Sequence, residues 1–151
     1  MTLLAGALAI VATACGGGNN ASIPPAQTVD KSTAISEGDS VCTALAADQK
    51  QLVDTFKQQH PNLKPDDARD FLINTLSPRI ERAVGDFHRI GEPSKDRTDW
   101  DTIVRGLDKD LSTYKADLDT DPIKQLDVKP FKDLVTNFDT YGFRDCGRAL
   151  A

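Results

Sequence analysis

The most constraining feature of this chain is a helical spacing of apolar residues that recurs over most of its length. In the clearest stretch, charged residues fill the positions between apolar ones: Trp100, Ile103, Val104, Leu107, Leu111, Tyr114 and Leu118. This spacing places the apolar side chains on one face of a helix, and that face has to be buried against a partner. No segment alternates apolar and polar residues between hairpin turns, as strands would.

Three further segments have the same spacing, and residues that begin or end helices separate them. The predicted boundaries are an N-cap at Asp39 or Ser40, an end near His60, first-turn prolines at Pro65 and Pro130, and breaks at Ser77-Pro78 and Gly91-Glu92-Pro93-Ser94. Helices of this length with short connections favour an antiparallel bundle. We therefore predict an all-α domain over residues 38–151, a four-helix antiparallel bundle with one kinked or split helix.

The N-terminal residues have a different pattern. An uncharged apolar run from Leu3 to Val11 leads into Ala12-Thr13-Ala14-Cys15 and then Gly16-Gly17-Gly18-Asn19-Asn20. A short apolar core before small residues is typical of an export signal, and about ten apolar residues are too few to cross a bilayer core of about 30 Å. We predict a signal peptide over residues 1–14. The alternatives are a plain secretory peptide cut near Ala14 and a buried apolar helix.

Ala12-Thr13-Ala14-Cys15 resembles the lipobox of bacterial lipoproteins. The resemblance implies cleavage before Cys15 and lipidation of that cysteine, which would anchor the chain in the cell membrane on its extracytoplasmic face. Stable anchoring needs more than one acyl chain, at about 0.8 kcal/mol per buried methylene. Residues 15–37 are rich in Gly, Asn, Ser, Pro and Thr with little apolar periodicity, so we predict that they form a flexible stalk.

The two remaining cysteines, Cys42 and Cys146, lie near the two ends of the predicted bundle. An even pair in an exported chain indicates a disulfide, which would close a loop of about a hundred residues and stabilise the domain by at most about 4.7 kcal/mol. A reactive or metal-binding thiol pair is the alternative, but CxxC spacing and a nearby histidine are both missing.

A cysteine in the first helix together with Tyr141-Gly142 and Cys146-Gly147 near the C-terminus is similar to small actinobacterial lipoproteins and secreted helical domains. Most of those families have no assigned activity. The resemblance therefore implies a location and a fold, and it carries over no catalytic residue.

Few residues point to chemistry. No catalytic or nucleotide-binding motif is found, so we predict neither an enzyme nor a cofactor or metal. Asp117, Asp119 and Asp121 have the spacing that begins a calcium loop, but Pro122 and Val128 stand where that loop needs Gly and Glu, which favours a solvated acidic helix end. As hypothetical ligand contacts we name Tyr114, Tyr141, His60 and His88.

The net charge of -5 argues against a nucleic-acid partner, which requires a basic surface. Two functions remain. The first, which we favour, is a non-enzymatic interaction module tethered to the membrane through Cys15, with an envelope protein or polymer as partner. The second is a carrier of a small apolar ligand such as a lipid or haem between the helices. The aromatic residues fit either a solid core or the lining of a cavity.

Overall fold

The computed structural model describes residues 28–150, which are mostly helical. In chain order the elements are β1 (Thr28–Val29), α1 (Lys31–Gln59), α2 (Pro65–Phe71), a π-helical turn (Leu72–Leu76), α3 (Ser77–Arg89), β2 (Glu92–Pro93), α4 (Arg97–Asp117), α5 (Pro122–Gln125), a 3-10 turn (Lys132–Leu134), α6 (Val135–Tyr141) and α7 (Cys146–Leu150). The all-α prediction is confirmed. The predicted signal peptide, Cys15 and residues 15–27 of the predicted stalk lie outside the described residues.

The long helices run antiparallel to their neighbours, with α1 packed on α3 and α3 packed on α4. Side-chain contacts join rising residue numbers on one helix to falling numbers on the next. On α1, Asp48 contacts Arg79 of α3 and Phe56 contacts Phe71 at the end of α2. On α3, Glu81 contacts Lys115 and His88 contacts Asp108, both of α4. The helical spacing seen in the sequence therefore corresponds to real buried faces.

Helix α1 begins eight or nine residues before the predicted N-cap. Asp30 caps it by accepting a hydrogen bond from the Thr33 amide at 2.8 Å, so residues 31–37 are helical and do not belong to a stalk. The buried positions of these first turns are the small residues Ala34 and Gly38. Small residues give little hydrophobic periodicity, and for that reason the sequence pattern missed the start of the helix.

The predicted interruption near Ser77 and Pro78 is present as a π-helical turn between α2 and α3. The backbone stays helical through it, and the Ser77 amide bonds to the carbonyl of Leu72, five residues back. Pro78 has no amide hydrogen, so it cannot supply the ordinary hydrogen bond to the turn before it. The wider turn carries the helix past this position.

The predicted fourth helix is much shorter than expected. Pro130 lies in a turn, the backbone at Phe131 (φ -112°, ψ 20°) is not helical, and α6 begins only at Val135 after a 3-10 turn. The reason is tertiary. Phe131 and Leu134 are both buried, and Leu134 packs directly over Gly106 of α4, a placement that a regular helix from Pro130 does not provide.

Two further findings complete the architecture. Thr28–Val29 and Glu92–Pro93 form a two-residue parallel pairing, which the sequence pattern did not predict. Among residues 28–150, no helix combines the length and the apolar character required to cross a bilayer.

The core holds one continuous group of aromatic rings beneath the C-terminal segment. Ring centroids 5.4 to 6.3 Å apart connect its members: Phe87, Trp100, Phe138, Tyr141 and Phe143. All five are buried and in contact with one another, so these aromatic residues are core residues.

The predicted disulfide joins Cys42 in α1 to Cys146 at the start of α7, across a sequence separation of 104. Asp39, one turn before Cys42, reinforces the connection. Its carboxylate accepts hydrogen bonds from the amides of Arg144, Asp145 and Cys146 at 3.0, 2.9 and 3.0 Å. The C-terminal segment is thus held on α1 by one covalent bond and one shared carboxylate.

Candidate functional site

The best candidate for a binding site is a cleft of about 330 Å³ between the second half of α1 and the C-terminal part of the chain. We call it the α1–C-terminal cleft. Its lining residues are Ala46, Gln49, Lys50, Val53 and Asp54 from α1, Leu126, Asp127 and Lys129 from the segment after α5, and Ala149 and Leu150 from α7. Its volume lies at the lower end of the roughly 300–1,000 Å³ usual for ligand pockets.

The floor of the cleft is apolar, and its walls are fixed. Val53, Leu126 and Leu150 are buried side chains that reach it from three separate segments. The Gln49 side-chain amide donates to the carbonyl of Val128 at 3.2 Å and so holds the segment after α5 on α1. The disulfide and Asp39 fix α7 on the other side. The cleft therefore exists in the folded chain without further rearrangement.

The rim of the cleft carries two lysines and two aspartates. Lys50 binds Asp54 at 2.5 Å, and Asp127 is bound by Lys57 at 2.7 Å. Both aspartates are thus neutralised by neighbouring ammonium groups. Within residues 28–150, Lys129 is the lining lysine that has no carboxylate within 4.0 Å. The rim consequently presents one cation beside an apolar floor.

The two histidines named from the sequence are not among the residues that line this cleft, and they lie in different settings. His60 ends α1, contacts the ring of Phe56 and lies 3.8 Å from an Asp67 oxygen. His88 is exposed on α3 and its Nε2 lies 2.8 Å from an Asp108 oxygen. Each imidazole is engaged with a nearby carboxylate at a helix surface.

The two tyrosines are core residues. Tyr114 and Tyr141 are each 3% exposed, and neither hydroxyl has a hydrogen-bond partner in the described part of the chain. Burial raises the pKa of Tyr114 to about 12. Burial, aided by the negative charges of Asp96 and Asp99, also raises the pKa of Tyr141 to about 12.

The structure does not bring the four named residues together. Between residues 28 and 150, no hydrogen bond, ion pair or ring contact joins any two of them. Of the four, Tyr141 alone borders one of the described pockets, a cleft of about 130 Å³ that also touches Asp99 and Asn137. A ligand site built jointly from these side chains is therefore not present in the described fold.

The N-terminus of α4 has an unusual backbone. Asp96 precedes the helix with a positive φ of 64°, in the left-handed region that residues other than glycine seldom adopt. Its carboxylate lies 3.3 Å from the Lys31 ammonium, which in turn sits 4.4 Å from the centre of the Tyr141 ring. These contacts fasten the first turn of α1 to α4 and to the aromatic core, so we assign the corner a structural role.

The remaining surface features offer less. A wider groove of about 850 Å³ follows the outer face of α1, where its lining is dominated by small side chains such as Ser36, Ser40 and Ala44. The Asp39 carboxylate in that groove is already occupied by the amides of the C-terminal segment. In the described range 28–150, no group of three or more histidine, cysteine or acidic residues is arranged to hold a metal ion.

No pattern in the sequence indicates the α1–C-terminal cleft. Its walls come from residues 46–54, 126–129 and 149–150, which meet only in the folded chain. None of these segments contains a motif, and their apolar members look like ordinary core positions of a helix.

Comparison with known proteins gives no further guide to function. The chain matches no protein-family model, and neither the curated proteins nor the solved structures include a significant match. Function therefore has to be argued from the residues and the geometry.

Proposed function

We propose that this protein is a cell-envelope lipoprotein and a non-enzymatic interaction module, anchored to the membrane through Cys15 and facing outward. Support comes from the sequence Ala12-Thr13-Ala14-Cys15 after an apolar run, and from the buried Cys42–Cys146 disulfide, since disulfides persist in oxidising extracytoplasmic compartments. In this proposal the domain is a variant of a four-helix antiparallel bundle in which α6 and α7 together take the fourth position.

The observation that carries the interaction role is the exposure of two large apolar side chains, Ile73 and Ile123. Ile73 and Ile123 are 45% and 39% exposed, and they are the large apolar side chains left exposed within residues 28–150. Ile73 lies in the π-helical turn that follows α2, and Ile123 lies in α5, which packs on α2. Contiguous exposed apolar surface marks protein contact sites, and in this proposal Ile73 and Ile123 belong to one such surface.

The anchoring part of the proposal is tested by metabolic labelling with a clickable palmitate analogue in a bacterium that processes lipoproteins. The unmodified chain should take up label and fractionate with the membrane. Cys15→Ser should lose the label and be released, whereas the neighbouring change Asn20→Ser should behave like the unmodified chain. Labelling that survives Cys15→Ser, or no labelling of the unmodified chain, contradicts lipid anchoring at this residue.

The interaction part is tested by placing a photo-crosslinking amino acid at position 73 or 123 of the full chain in living cells. Asp101, exposed on α4, serves as the control position. A defined crosslinked species from positions 73 and 123 that is missing from position 101 supports the proposal. Equal crosslinking at all three positions, or none at any of them, contradicts it.

The α1–C-terminal cleft supports a second candidate function, that of a carrier for a small apolar ligand. Its apolar floor and its volume of about 330 Å³ are the observations in favour. Native mass spectrometry of the exported, oxidised chain carrying Cys15→Ser tests it. A retained adduct that denaturation releases supports the carrier, and a bare mass contradicts it.

A further inference from the structure

We infer that the α1–C-terminal cleft binds a single-chain amphiphile with a carboxylate head, its alkyl chain on the apolar floor and its head at Lys129. The inference rests on the second candidate function, the carrier, and specifies its ligand. Two features of the cleft lead to it, the distribution of charge on the rim and the polarity of the floor.

The rim charges favour one anionic group. The carboxylates of Asp54 and Asp127 are each within 2.7 Å of a lysine ammonium, and so they already have partners. Lys129 borders the same cleft and is exposed, with no carboxylate within 4.0 Å inside the described range. An anion placed there would gain an ion pair without breaking an existing one, whereas a cation would meet only aspartates that are already paired.

The floor favours an alkyl chain over a polar ligand. Val53, Leu126 and Leu150 supply side chains without polar atoms, and Ala46 and Ala149 keep the cleft open beside them. The polar lining residue nearest the middle of α1, Gln49, already uses its amide nitrogen on Val128. A polar ligand would lose its hydrogen bonds to water on this floor, whereas an alkyl chain would gain from burial.

The head group is assigned as a carboxylate because Lys50 is paired with Asp54, which leaves Lys129 as the rim ammonium group without a carboxylate partner in the described range. Phosphate recognition in proteins commonly uses arginine forks or several backbone amides at a helix N-terminus, and none of the lining residues is an arginine. A single lysine is a point charge and is suited to a monoanion.

The test uses the full chain carrying Cys15→Ser, produced with its disulfide formed, and isothermal titration with decanoate, decanol and decyl phosphate below their aggregation concentrations. Three variants accompany it. Lys129→Gln removes the rim cation, Ala46→Leu fills the cleft, and Lys132→Gln removes an exposed lysine that lies outside the cleft lining and serves as the control.

We expect decanoate to bind. Lys129→Gln should weaken its affinity about fivefold, because an exposed ion pair contributes up to about 1 kcal/mol. Ala46→Leu should weaken it about tenfold, because the larger side chain fills the cleft and excludes the alkyl chain. Lys132→Gln should leave the affinity unchanged. Circular dichroism and thermal unfolding confirm that each variant is folded. Should Ala46→Leu fail to fold, the shift of the Gln49 side-chain amide signals on adding decanoate to the unmodified chain locates the ligand instead.

Three results would overturn the inference. If decanol binds as tightly as decanoate, or if Lys129→Gln has no effect, the head-group assignment is wrong while the carrier function stands. Tighter binding of decyl phosphate than of decanoate refutes the choice of a carboxylate. If none of the three compounds binds, both the inference and the carrier function fail.

Discussion

The carboxylate of Asp39 provides the sharpest test of how this fold is held together. It accepts three backbone hydrogen bonds, from Arg144, Asp145 and Cys146, at 2.9 to 3.0 Å, and it thereby caps α7 from a distant helix. Replacing a capping carboxylate by alanine costs about 0.5–2 kcal/mol, and hydrogen bonds to a charged group contribute about 1.5–3 kcal/mol each when buried.

The hydrogen bonds from Arg144 and Asp145 are exposed and the one from Cys146 is partly buried, so solvent reduces their contribution. We expect Asp39→Ala to lower the free energy of unfolding by about 2 kcal/mol. Asp39→Asn, which keeps one acceptor oxygen, should cost about half as much. The assay is urea unfolding at neutral pH, followed by circular dichroism in the oxidised chain carrying Cys15→Ser. The m-value should not change, since the fold remains the same.

Asp48→Ala is the matched control, because Asp48 lies on the same helix, is exposed, and has only a contact of 3.9 Å with Arg79. Its loss should stay within about 0.5 kcal/mol. The reasoning would be refuted if Asp39→Ala were as mild as Asp48→Ala. In that case the disulfide alone would hold the C-terminal segment.

Three other predictions concern the disulfide, two helical glycines and the two buried tyrosines. Cys42→Ser and Cys146→Ser should each destabilise by a similar amount, up to about 4.7 kcal/mol in the chain-entropy model, and the double variant should be no worse; additive losses in urea unfolding would disprove the pairing. Gly38→Ala should lower the free energy of unfolding by about 2 kcal/mol, because a Cβ there would overlap the Phe143 ring and lie 3.0 Å from a Phe87 carbon. Gly85→Ala should stabilise α3 by about 0.5–1 kcal/mol, because a Cβ at that position meets nothing closer than 3.9 Å. Thermal unfolding that ranks the two variants the other way contradicts this packing. Tyr114 and Tyr141 have pKa values raised to about 12, above the value of about 10 in an unfolded chain. The stability that their neutral hydroxyls contribute is therefore complete below about pH 10 and is lost as the pH rises towards about 12. Tyrosinate absorbance that appears near pH 10 in the folded chain would contradict this, because it would show that the hydroxyls are accessible.

The helical class and several helix boundaries could be predicted from sequence, whereas the short helices α5 and α7 were not predicted. The stripe that includes Trp100 and Leu107 is buried in α4 as expected, His60 ends α1, and Pro65 begins α2. These features depend on local rules, because the spacing of apolar residues sets the buried face and proline fixes the backbone at a helix start.

The predictions of helix ends were wrong at positions where the local sequence pattern does not determine the backbone. The start of α1 was missed because Ala34 and Gly38, its buried residues there, carry little hydrophobic signal. The length of the fourth helix was overestimated because Phe131 has the apolar spacing of a helix, whereas its backbone is not helical and it is buried just before the 3-10 turn. In both places the decisive contact is with a residue far away in sequence.

The sequence by itself determined the helical faces and indicated that Cys42 and Cys146 form a pair, since the first depends on residues that are neighbours and the second on the count and position of one residue type. Only the tertiary structure decided that Asp39 caps α7 and that Val53, Leu126 and Leu150 meet in one cleft. The same holds for Lys129 at the rim of that cleft, which has no carboxylate within 4.0 Å among residues 28–150. The physical reason is that a cleft and a long-range cap are made by side chains from separate segments, and their meeting depends on how the whole core packs.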